Sequence, residues 1–179
     1  ASGSSGVVRV LLDAGAPADC RGSGGVTSLM LAAGAGSTRV VHLLLGARAD
    51  VGAVDSTGYS PLHFAAAAGS AATAQVLLRA GASPSARDLR GSTPLVLACR
   101  AGHAQVVATL VGVGAEVETP GRDGLSPLGV AVVAGHVAVI RVLVAAGACF
   151  SCSSAPRWES AISLARRSSD PTLLDALHR

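Results

Sequence analysis

Asp55-Ser56-Thr57-Gly58-Tyr59-Ser60-Pro61-Leu62-His63-Phe64-Ala65-Ala66 is the stretch on which the fold turns. Ser60 offers a hydroxyl for an N-cap, and Pro61 occupies a first helical position, where no amide donor is missed. Gly69 then tolerates the left-handed conformation that stops a helix, so the stretch reads as a turn, a short helix and a reversal. The same arrangement recurs outward in both directions at a spacing of 33 residues. Gly25, Gly58, Gly91 and Gly124 keep that period, as do Ala32, Ala65, Ala98 and Ala131. Gly36, Gly69, Gly102 and Gly135 form a third column, and Leu44, Leu77, Leu110 and Leu143 a fourth. Four columns in register are the signature of a repeat architecture. Thr93-Pro94 and Ser126-Pro127 restart the helix in later units, and Val106, Val107, Leu110 and Val111 give a second helix one apolar face before Gly114-Ala115.

The motif at Asp55, and its repeat at Asp88 with Thr93-Pro94-Leu95 and Gly102-His103, resembles the ankyrin repeat family. The resemblance covers nearly the whole chain. It implies an all-α solenoid of antiparallel helix pairs with projecting hairpin-like loops. Full units are expected at 22–54, 55–87, 88–120 and 121–153 in one continuous domain. A partial unit, 1–21, supplies only a second helix through Val7 to Leu12, and its start, Ala1 to Gly6, reads as a scar left by cloning. A degenerate capping unit, 154–179, carries Ala161 to Ala165 in the pattern of Pro127 to Ala131 after one inserted residue. Helices this short do not hold together alone in water, so stability must come from stacking of neighbours. The first full unit is expected to be the weakest, because Arg48 stands in the column of Gly15, Gly81, Gly114 and Gly147, and Ser28 replaces the proline.

Composition excludes several classes of function. Hydrophobic residues make up 50% of the chain and aromatics only 2%, which favours close-packed helices over a core of large rings. All 14 basic residues are Arg and 11 acidic residues oppose them, so the charge of +3 argues against nucleic acid as the partner. The apolar run from Leu125 to Ile140 is broken by Pro127, Gly129 and Gly135 and is shorter than the ~20 residues a membrane span needs. Cys149 and Cys152 form half a zinc site with no second pair, so neither metal nor cofactor is expected. Cys20 earns no separate role, and Cys99 falls in a column of small residues and reads as a buried hydrophobe. The family resemblance implies that His63 hydrogen-bonds backbone between adjoining loops, and that His103 and His136 pack or cap the reversals. No Ser, Cys or Asp recurs beside these histidines at a spacing that implies a catalytic site. No small-molecule substrate is expected either.

What remains is surface. The resemblance implies binding through loop tips and the concave side of the first helices. In this chain the first two units offer small residues there, such as Gly34-Ala35 and Ala67-Ala68, whereas the third and fourth gather Arg. The expected partner-binding residues are Tyr59, Arg87, Leu89, Arg90, Arg100, Arg122, Asp123 and Leu125. An aromatic ring and several Arg around apolar contacts is the composition of protein-binding hot spots. The expectation is a non-catalytic interaction module or adaptor for an acidic-apolar protein segment, in the cytosol or nucleus. The alternative is a regulatory or substrate-recruiting segment of a larger enzyme or ubiquitin-ligase adaptor. Oligomeric state is left open by the residues.

Overall fold

A computed structural model describes residues 2–148. The described residues form nine α-helices and no strand. A single antiparallel bridge joins Arg21 and Thr27. Four helices follow the hydroxyl or hydroxyl-proline signals: α2 (Ser28–Gly34), α4 (Pro61–Ala67), α6 (Pro94–Ala101) and α8 (Pro127–Ala134). Each is paired with a second helix after a tight reversal, namely α3 (Thr38–Gly46), α5 (Ala71–Arg79), α7 (Ala104–Gly112) and α9 (Val137–Ala145). First helices stack on first helices and second on second, and α1 (Ser2–Asp13) packs on α3 in the position of a second helix.

The caps at Thr93 and Ser126 are those the residues predict, while the Ser60 hydroxyl pairs with His63 Nδ1 at 2.8 Å. Thr93 Oγ1 accepts from the amide of Val96 at 3.3 Å, and Ser126 Oγ from that of Gly129 at 3.2 Å. In the first unit, which lacks the proline, Thr27 Oγ1 still accepts from the Met30 amide at 3.3 Å. At the far end, Gly102 and Gly135 take left-handed C-cap conformations with φ of 79° and 75°. Arg48 adopts φ 63° in the column where the neighbouring units place glycine, and it is the sole non-glycine with positive φ among the described residues.

The core is a ladder of Leu, Val and Ala running through all the stacked pairs. Leu44, Leu77, Leu110 and Leu143 are buried in equivalent places, at 3% exposure or less. One period earlier in the same column, Leu11 is 53% exposed, and Val7 is 61% exposed where Val40, Val106 and Val139 are buried. The contrast has a simple cause: among the described residues no first helix is paired with α1. An apolar cleft of about 400 Å³ opens there, lined by Val8, Leu11, Leu12, Leu31 and Val40 among others. Gly3, one period before Gly36, lies inside α1 rather than at a reversal. The expected capping unit at 154–179, with Cys149 and Cys152, lies outside the described residues.

Candidate partner-binding face

The loops between units form one continuous edge. Asp55 folds its own loop by accepting, on one carboxylate oxygen, the amides of Thr57 at 2.8 Å and Tyr59 at 2.9 Å and the Thr57 hydroxyl at 2.7 Å. Burial alone raises the pKa of that carboxyl, but the hydrogen bonds from Thr57 and Tyr59 outweigh it and hold the group below its ordinary value. Asp88 repeats the device with the amides of Arg90 and Ser92, both at 2.8 Å. Backbone bonds then tie loop to loop: Ser56 N–H donates to Gly24 at 2.7 Å, and Leu89 N–H to Thr57 at 2.9 Å. Side chains at the first three tips are therefore presented by a cross-linked backbone, whereas the loop of Arg122 has Gly121 in the column of Asp55 and Asp88.

His63 joins the helices to that edge. Its Nδ1 accepts from the Ser60 amide at 3.1 Å, which leaves Nε2 to carry the proton and donate to the Ser92 carbonyl at 3.2 Å. The ring is fully buried, and burial is the main reason its pKa lies below the ordinary value. This agrees with the role the family resemblance implies. His103 and His136 reach back one unit, donating from Nε2 to the carbonyls of Ala67 and Arg100, each at 3.1 Å. Their rings lie over the reversals at Gly69 and Gly102, where an added Cβ would come within 2.6 and 2.8 Å of ring atoms. Those glycines are required by the neighbouring unit's imidazole as well as by their own φ.

The expected binding residues do not form one cluster. Tyr59 turns toward α4, with its ring edge-to-face to His63 at 5.4 Å and to Phe64 at 5.9 Å. It lines a space of about 360 Å³ with Gly34, Phe64, Ala67 and Ala68. Arg100 forms an ion pair with Asp123, Nη2 to Oδ2 at 2.9 Å. Arg87 donates to the Gly91 carbonyl at 3.4 Å and lines a separate cleft with Glu116 and Thr119. Leu125 is half-buried against the core. Leu89 is 79% exposed, and Arg90 and Arg122 are exposed beside the same edge of loops. Among the described residues, no carboxylate lies within ion-pair distance of Arg90 or Arg122.

The first two units are not featureless, as their small residues had implied. Phe64 lies within the motif at Asp55 but was not singled out, since its column holds the apolar residues Leu31, Leu97 and Val130. Its one sequence signal is rarity: Tyr59 and Phe64 are the Tyr, Trp and Phe complement of the described residues.

The stacked pairs, the looped edge and the face of first helices define a helical repeat solenoid. The sequence profile of the family described as ankyrin repeats (3 copies) matches residues 1–88 and 83–153. The chain belongs to the ankyrin repeat family, whose members are protein–protein interaction modules and typically non-catalytic. A comparison with curated proteins finds no match. Among the described residues no helix is long and apolar enough to cross a membrane, and no group of three or more His, Cys, Asp or Glu is placed to hold a metal ion.

Proposed function

We propose that the chain is a non-catalytic adaptor of the cytosol or nucleus that holds an acidic-apolar segment of a partner protein along the loop tips and first-helix face of its third and fourth units. The observation that carries this reading is that Arg90 and Arg122, at the tips of successive loops, are both exposed and without a carboxylate partner among the described residues, and that Leu89 beside Arg90 is 79% exposed. Opposite charge on the partner speeds encounter, while the apolar contact is not screened by salt. Arg100 contributes only as far as it exchanges Asp123 for a partner carboxylate. The non-catalytic reading is supported by what the titratable side chains already do. His63 is committed to Ser60 and Ser92, and burial pushes the Cys99 thiol up to about 12, far from a reactive thiolate.

The test is selection of binders from a displayed library of random peptides about twelve residues long, with the whole chain as bait. Recovered peptides should be rich in Asp and Glu. Reversing Arg90 and Arg122 together to Glu should weaken them about tenfold or more without lowering the thermal midpoint, whereas reversing Arg141 on α9 should not. Sensitivity to Arg141 alone would place the partner on the opposite face. Tight binding of a single-stranded oligonucleotide in place of peptides would make the partner a nucleic acid.

A further inference from the structure

We infer that the space between α2 and α4, walled by Tyr59 and Phe64, is an anchor pocket for one bulky apolar side chain of a segment that carries carboxylates a few residues away. The inference rests on the binding reading above and adds to it a second, uncharged contact one to two units away from the Arg.

The two rings are the first argument. The core of the described residues is built from Leu, Ile, Val, Met, Ala and Cys, so Tyr59 and Phe64 are not needed to fill it. They stand partly buried at its edge, Phe64 packed against it, edge-to-face at 5.9 Å and 71° and lining a space of about 360 Å³. Rigid aromatic walls offer large contact area at small entropic cost, which is why such residues dominate binding hot spots.

The floor is the second argument. Gly34 keeps the space open: an added Cβ would already touch Phe64 Cδ1 at 3.4 Å, and a longer side chain would fill what lies beyond. Ala67 and Ala68 close the other side with methyl groups only. One period after Ala67 in the same column stands Arg100, and one period after that Val133, so in this column the residues are small only at Gly34 and Ala67, the two that line the space.

Charge supplies the third. The pocket has no Asp, Glu or Arg in its lining, and burial, chiefly, holds the pKa of the His63 ring beside it below its ordinary value. A carboxylate inside it would be desolvated without a partner. Further along, Arg100 is neutralised by Asp123, and the open cations are Arg90 and Arg122 at the tips. The complement of this order is a segment with an apolar residue at one end and acidic residues a few positions away, in either chain direction.

The library selection tests this with two plugging variants, Gly34→Leu and Ala67→Leu, each replacing a residue that makes no side-chain hydrogen bond. Recovered peptides are expected to share a Phe, Trp or Leu with Asp or Glu a few residues to one side of it. Synthetic copies should lose about tenfold or more in affinity when that residue is changed to Ala, and again on either plugged variant. Their thermal midpoints should match the parent's, and the peptide's ring or methyl protons should show contacts to Tyr59 and Phe64 by nuclear magnetic resonance. If Arg90 and Arg122 reversal weakens the peptides while both plugs leave them unchanged, the pocket assignment is wrong and the adaptor reading stands. If neither set matters, or no peptide is recovered, both fall.

Discussion

The Nε2–H of His63 donates to the carbonyl of Ser92, 3.2 Å away in the next unit, while Nδ1 of the same ring accepts from Ser60 in its own. One imidazole thus fixes a helix start and docks the following loop. It can do both only when neutral, since a proton on Nδ1 would face the Ser60 amide.

Acid should therefore weaken the array through this residue. Burial, chiefly, holds the folded pKa of His63 below its ordinary 6.5. Below that value the unfolded chain takes up a proton that the folded chain refuses. The contribution is complete above about pH 6.5 and is lost as pH falls toward the depressed folded value. The thermal midpoint should decline between about pH 7 and pH 5. In His63→Gln it should start lower and decline less over that interval; an equal decline would assign the effect to other groups.

Arg48 pays a conformational cost that its neighbours avoid. At φ 63° its Cβ crowds the following carbonyl, whereas Gly15, Gly81, Gly114 and Gly147 adopt the same region freely. Arg48→Gly should stabilise the protein by about 1 kcal/mol, a rise of about 2 to 4 °C in the midpoint. No change, or a fall, would show that the arginine side chain makes contacts worth as much as the strain.

Asp123 offers a cleaner handle on binding than on stability. Its pair with Arg100 is half exposed on both sides, at 47% and 54%, so Asp123→Asn should move stability by no more than about 1 kcal/mol. It should release Arg100 and so tighten acidic peptides and steepen their salt dependence. Unchanged salt dependence would remove Arg100 from the binding face.

The two ends of the leucine column should respond differently. Leu110→Ala should cost about 2 to 5 kcal/mol, whereas Leu11→Ala, at 53% exposure, should cost far less. Prefixing a copy of residues 57–66 to Ala1 would set a first helix over α1 in register, with Ala1-Ser2-Gly3-Ser4 in the columns of Ala67-Ala68-Gly69-Ser70. Burying the exposed half of Leu11 should then add about 1 kcal/mol, and Leu11→Ser should reduce the gain. Equal gains in both would mean that the prefix packs elsewhere than in the cleft.

The amino-acid sequence by itself determined the family, the helix pairs and the buried column, because a 33-residue period imposes the same hydroxyl-proline start, glycine stop and Leu face on every unit. It also determined the left-handed backbone at Arg48, since the column of glycines around that residue states the conformation required. Only the tertiary structure decided what the expected binding residues do. Arg100 and Asp123 stand 23 residues apart, and nothing local in either shows that the two charges cancel. Tyr59 was legible as a surface aromatic, but its pairing with Phe64 over the space left by Gly34 was not. A repeat pattern specifies which column a side chain occupies. Whether that column is core, pocket or free surface depends on the size and charge of the residue one unit away, and that relation exists only once the units are stacked.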